Sequence, residues 1–98
     1  MKDKLVSLKL YITGQTSRSE QAIVNLRRLC ETYWADDYTI DIIDVLEQPR
    51  LAEENGIVAT PTLIKVAPPP VRRLIGDLSA TRKVLVGLGL RWNADNEI

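Results

Sequence analysis

Side chains with nucleophilic chemistry are scarce in this chain. There is one cysteine, Cys30, and no histidine among 98 residues. The lack of histidine excludes imidazole base catalysis and imidazole metal ligation. A thiol attacks as its thiolate, and a helix N-terminus is the common device for stabilising one. The stretch placed to supply such a terminus, TGQTSRS at residues 13–19, contains no cysteine. Cys30 lies about three turns further along, spaced with apolar residues, and reads as a small buried hydrophobe. Ser17 and Tyr11 are the other nucleophile candidates, and no sequence neighbour would activate either. The adjacent acids Glu53 and Glu54 read as a solvated face, and Trp92 as packing or interface. Arg72 and Arg73 are consecutive, so in a strand they point to opposite faces. One faces solvent, and the other is free to pair with a carboxylate at an interface.

Composition narrows the remaining classes. Thirteen basic and thirteen acidic residues cancel, which gives no general electrostatic reason to bind nucleic acid or a membrane. No apolar run approaches the roughly 20 residues that span a bilayer. A single cysteine cannot close an internal disulfide, and this suits a reducing, cytoplasmic compartment. The first residues, MKDKLVSLKLYI, alternate in the manner of a strand rather than a signal peptide. The length suits one domain over residues 1–98.

The elements that must position these residues follow from hydrophobic period. Val6, Leu8, Leu10 and Ile12 alternate with polar neighbours and predict a first strand. Ser17 and Glu20 have capping-box spacing. The helix that follows carries Ala22, Ile23, Leu26, Leu29, Cys30 and Tyr33 on one face. Asp36-Asp37 makes a turn, and residues 38–45 read as a second strand, parallel to the first. Pro49 opens a short helix ending at Gly56. Residues 57–66 read as a buried strand interrupted by Pro61, APPP as a stiff corner, and VRRLI as an edge strand. GDLS is a turn, and residues 79–92 close the order as a helix with Ser79 as N-cap.

That last segment carries two patterns. In VLVGLGLRW, residues 84–92, period two places Val84, Val86, Leu88, Leu90 and Trp92 on one face, and helical period aligns Thr81, Leu85, Leu88 and Trp92. Gly87 and Gly89 each cost a helix about 1 kcal/mol relative to alanine, and they weaken a strand as well. On this basis Gly87→Ala is expected to favour the helix.

The order β-α-β-α-β-β-α is the thioredoxin arrangement, and ATPTL resembles the cis-proline segment of such domains. At finer grain the chain resembles the KaiB family. LKLYITG, IDVLEQPRLAEENGIVATPTLIKVAPPPVRRLIGDLS and KVLVGL carry the resemblance, from about Leu8 to Leu90. It implies a non-enzymatic adaptor, without cofactor or metal, that binds a KaiC-type ATPase in a clock, timer or stress response. It also implies contacts with a KaiA-like protein or a sensor histidine kinase. Lys9, Lys65, Arg72 and Arg73 match the family's basic partner-binding positions, whereas Gln21, Asp41 and Gly56 stand where other members are basic, which suggests a divergent or non-cyanobacterial paralogue. The resemblance further implies an α/β protein with two folds. In the resting tetramer a βαβ half is followed by βααβ, with residues 84–90 a strand. In the partner-bound state the second half is αββα. Pro61, Pro69, Pro70, Gly87 and Gly89 are the implied switch positions. The alternative function is a thioredoxin-like redox or glutathione-dependent module that lacks a CxxC motif.

Overall fold

A computed structural model describes residues 6–89. Strand β1 is Val6–Ile12, helix α1 Ser17–Trp34, strand β2 Tyr38–Asp44 and helix α2 Pro49–Glu54. Strands β3, Thr62–Ala67, and β4, Arg72–Ile75, follow, and helix α3, Thr81–Gly87, closes the order. The four strands form one sheet in the order β2-β1-β3-β4. β1 pairs parallel with β2 and antiparallel with β3, and β3 pairs antiparallel with β4. Each change of direction follows from the connection. The 18-residue α1 carries the chain back for a parallel return, whereas the short Pro-rich corner permits only an antiparallel one.

The central strands of the sheet are covered on both sides. Leu8, Leu10 and Leu63 join Ala22, Leu26, Leu29 and Cys30 of α1 and Val84, Leu85 and Leu88 from α3 and its end in the larger core. Tyr11, Ile43 and Ile64 face the other way, with Leu51 and Ile57 of the α2 region packed on them. Burying a leucine of this kind contributes about 1.5–3 kcal/mol. The expected helical face of α1 is therefore the buried one.

Two caps differ from expectation. Thr16, not Ser17, caps α1: its hydroxyl accepts from the Ser19 amide at 3.0 Å, and Ser17 is the first helical residue. The capping pair is shifted one residue because Thr16 holds the extended backbone an N-cap needs. At α3 the position before the helix is Ala80, without a side-chain cap. Ser79 instead donates its amide to Asp77 Oδ1 at 3.0 Å, inside the turn.

Asn25 joins that turn to the body of the domain. It lies on the buried face of α1 at 8% exposure. Its Nδ2 donates to the Asp77 carbonyl at 2.7 Å, and its Oδ1 accepts from Gln21 Nε2 at 3.1 Å. The neighbouring Leu78 has a φ of 65°, a conformation costing an L residue about 1–2 kcal/mol. Its side chain is nevertheless buried in the core, so packing and the Asn25 bond together hold it there.

The strand expected of residues 84–90 belongs to the resting tetramer; the single chain has the helical alternative expected of the partner-bound arrangement, through residues 84–87. The single chain places residues 84–87 in α3, over β4, and Leu90 lies outside the described residues, as does Trp92. Gly89 is not inside the helix either. It follows the end of α3 at a φ of 77°, with its amide donating to the Val86 carbonyl at 3.0 Å. It thus serves the usual role of a helix-terminating glycine. Gly87 is a point of close approach: a Cβ there would lie 2.3 Å from Leu74 Cδ2. The expected gain from Gly87→Ala is therefore not available in this arrangement unless Leu74 moves, because the space that alanine needs is filled.

Two outcomes follow. Asn25→Ala should lower unfolding free energy by about 1–3 kcal/mol, since it leaves the Asp77 carbonyl without its partner. Urea denaturation measures this, and a change below about 0.5 kcal/mol, typical of an ordinary surface site, would show that the link carries no weight. Gly89→Ala should cost about 1–2 kcal/mol and Gly89→Asn less, because asparagine tolerates the left-handed region. Equal stability of the two variants would contradict the terminating role.

Candidate functional site

The four basic residues matched to the family's docking positions come from three strands. Register fixes their relation. One row across the sheet runs Asp41–Lys9–Ile64–Arg73, and the next runs Ile40–Leu8–Lys65–Arg72. Directly paired residues share a face. Lys9 and Arg73 therefore lie on the side covered by α2, and Lys65 and Arg72 on the side of α1 and α3. Arg72 and Arg73 do point oppositely, as their adjacency predicts. The structure brings all four into two neighbouring rows but divides them between two faces.

Their environments also differ. Lys65 is 1% exposed, and burial first, then the Arg72 charge, pulls its ammonium below the usual lysine range. Arg72 is exposed beside it. On the other face, the Arg73 guanidinium donates to the carbonyls of Gly56, at 3.2 Å, and Asn55. It also acts on Tyr11, whose phenol burial pushes up while the Arg73 charge opposes and the Asp41 charge adds. In this arrangement Arg72 is thus the exposed member of its row, and Lys9 is half-buried.

The junction of β1 and α1, where a redox domain of this topology would carry its thiol, is built from hydroxyls and a carboxylate. Thr13 and Thr60 share a 2.6 Å hydrogen bond between their side-chain oxygens. Asp44 Oδ1 accepts from the amides of Gly14, at 3.1 Å, and Leu46, at 2.9 Å. Thr60–Pro61 is cis, as the ATPTL segment predicts, and so are Ala67–Pro68 and Pro69–Pro70. A groove of about 250 Å³ runs beside this junction, lined by Thr13, Val45, Ala52, Ile57, Val58 and Thr60 among others. Ser17 is exposed at the start of α1, whereas Tyr11 is enclosed.

Sequence reasoning missed the Asp44 bond to Gly14, the Thr13–Thr60 pair and the bonds made by Arg73, all of which join residues far apart in the chain. Asn25 had a readable signal, as an amide on an otherwise apolar helical face.

Cys30 is fully enclosed, at 0% exposure. Burial pushes its thiol up to about 12, against which the nearby Arg27 charge acts only in part. The folded thiol titrates above the unfolded one, near 9. It therefore favours the folded state below pH 9, and that contribution is lost as pH rises toward about 12. At pH 8 the native thiol should react with iodoacetamide about 100-fold more slowly than the urea-unfolded chain, since both thiolate and access are lacking. Comparable rates in the two states would show that Cys30 is reachable.

Comparison with known proteins places this geometry. The KaiB domain family model matches residues 9–92. The chain is 56% identical over 85 residues to the circadian clock protein KaiB3 of Synechocystis sp. (strain ATCC 27184 / PCC 6803 / Kazusa), covering 87% of this chain and 83% of that protein. It is 50% identical over 97 residues to the circadian clock oscillator protein KaiB of Prochlorococcus marinus (strain NATL2A), covering 97% and 91%. Among solved structures, the N-terminal domain of Synechococcus elongatus SasA superposes with a TM-score of 0.69 at 22% identity, covering 88% of each chain. Mitochondrial thioredoxin 3 of Saccharomyces cerevisiae gives 0.67 at 20% identity, covering 87% of this chain and 79% of that one. These likenesses establish a thioredoxin-like fold. With the family match spanning most of its length, the chain belongs to the KaiB family, whose relatives here are named as circadian clock proteins.

Proposed function

We propose that this protein is a non-enzymatic adaptor of a clock, timer or stress pathway that binds a KaiC-type ATPase while in the thioredoxin-like arrangement. Family membership supports the clock role. The observation that carries the binding-state assignment is that the single chain adopts the fold of the SasA N-terminal domain. Competition with a thioredoxin-like sensor kinase domain, or contact with a KaiA-like protein, belongs to the same reading. The protein acts in the cytoplasm without cofactor.

A resting homotetramer, in which residues 84–90 form a strand, completes the reading. Pro61, Pro69, Pro70, Gly87 and Gly89 lie in the half that must change. In α3 a side chain at position 87 would meet Leu74, and Gly89 holds a positive φ. Both constraints belong to the helical arrangement and would lapse in a strand. If only the thioredoxin-like monomer binds, apparent affinity is reduced by its population, about 100-fold when about 1% is competent.

Within the basic set, Arg72 and Arg73 are both exposed, but the Arg73 guanidinium is engaged by the Asn55 and Gly56 carbonyls, which leaves Arg72 as the docking cation. The enclosed Lys65 is unsuited to direct contact in this fold, and Lys9 has a subsidiary place. Binding of the purified protein to the KaiC-type ATPase of the same genome tests the function. Arg72→Glu should weaken it about three- to tenfold, chiefly through slower association that depends on salt. No binding by wild type at low or high salt would overturn the adaptor reading, and unchanged association for Arg72→Glu would remove Arg72 from the interface.

A further inference from the structure

Helix α2 ends in a fully formed turn. The Gly56 amide donates to the Glu53 carbonyl at 3.1 Å and the Ile57 amide to the Ala52 carbonyl at 2.9 Å, with Gly56 at a φ of 65°. These are the two bonds of a Schellman motif. They close the carbonyls of the last turn but not those of Asn55 and Gly56, which come after it. Arg73 takes both: one guanidinium nitrogen donates to Gly56 O at 3.2 Å and the other to Asn55 O. The donor arrives from β4, 17 and 18 residues along the chain. A planar guanidinium offers two parallel N–H groups, which is the geometry two successive carbonyls require. Its charge also lies at a helix C-terminus, where a cation is favoured.

The segment held in this way is one wall of a groove. Ile57 and Val58 face Thr62, Leu74 and Ile75 across a space of about 260 Å³. Val58 is 92% exposed and Ile75 63%. Neither of these side chains helps to hold the wall, whose apolar anchor is Ile57 on the cluster of Tyr11, Ile43 and Ile64. Among the described contacts, the polar tie between the 55–58 loop and β4 is the pair of bonds from Arg73.

We infer that Arg73 is a positioning residue: it fixes the α2 terminus and the 55–58 loop against β4, and acts on any partner through that loop rather than as a docking cation. The inference deepens the adaptor reading, because it separates Arg73 from Arg72 although the two are adjacent and equally charged. Both bonds need α2 and β4 arranged as they are here. Arg73 is thus committed to the thioredoxin-like state in a way that Arg72 is not.

The test uses Arg73→Lys, Arg73→Gln and Arg72→Gln in the full chain. In the monomer fraction of the isolated protein, separated from the resting tetramer by size exclusion, amide exchange at residues 52–58 should rise about fivefold or more in both Arg73 variants and stay at the wild-type level in Arg72→Gln, with β1 and α1 unaffected in all three. Arg73→Lys should not rescue, because the ammonium keeps the charge and loses the fork. Against the KaiC-type ATPase, both Arg73 variants should bind more weakly with the wild-type salt dependence, whereas Arg72→Gln should reduce the salt dependence. Unchanged exchange in Arg73→Gln would overturn the inference, as would wild-type exchange in Arg73→Lys or a salt dependence reduced by Arg73→Gln. The exchange measurement needs no partner. A chain whose loop loosens as described but whose wild type does not bind the ATPase would sustain the cap and refute the adaptor reading.

Discussion

Strand β1 is enclosed on both faces and paired along both edges, and the other elements are arranged around that constraint. Leu8 and Leu10 require an apolar layer on one side, and Tyr11 requires one on the other. α1 and α3 supply the first, and α2 with its following loop supplies the second. The backbone groups of β1 need partners that lie wholly inside the protein, and β2 and β3 provide them in opposite senses. The edge strands are then left with the less buried work. Only Ile43 of β2 is fully enclosed, and no residue of β4 is.

The distribution of charge follows from the same architecture. A cation on a two-sided sheet either lies beneath a helix or reaches past one. Lys65, on β3, is beneath, and its stem takes a place in the layer that leucines would otherwise fill. Arg72 and Arg73, on edge strand β4, reach past: one emerges beside the end of α3, where a Gly89 Cβ would lie 3.1 Å from its Nε. The other turns to the end of α2. A row of basic residues in the sequence is therefore three different environments in the fold, and the adjacency of Arg72 and Arg73 is what divides them.

The βαβ half was legible because its signals are local and agree. Alternation marks β1, a wide apolar stripe marks α1, and a chain reversal of that length leaves a parallel partner as the natural outcome. The family was legible because long segments such as ATPTLIKVAPPPVRRLIGDLS match as units. The C-terminal segment was not, since Val84, Val86, Leu88 and two glycines satisfy either period. In the single chain the helix is accompanied by Leu74 packed where Gly87 has no side chain, a contact between β4 and α3 that no window of sequence contains. The one-residue shift from Ser17 to Thr16 at the α1 cap is of the same kind: both residues qualify by type, and backbone conformation decides. Arg73 shows the limit for function. The family resemblance implied a docking charge at Arg73, and only the path of α2 reveals carbonyls within reach of its exposed side chain.

The central claim is that the arrangement with α3 as a helix is the one that binds. Carbon chemical shifts of isotope-labelled chain bound to the KaiC-type ATPase test it most directly. The account predicts Cα and carbonyl shifts of helical sign through residues 81–87, ending at Gly89. Shifts of extended sign across residues 84–87 in the bound state would contradict it.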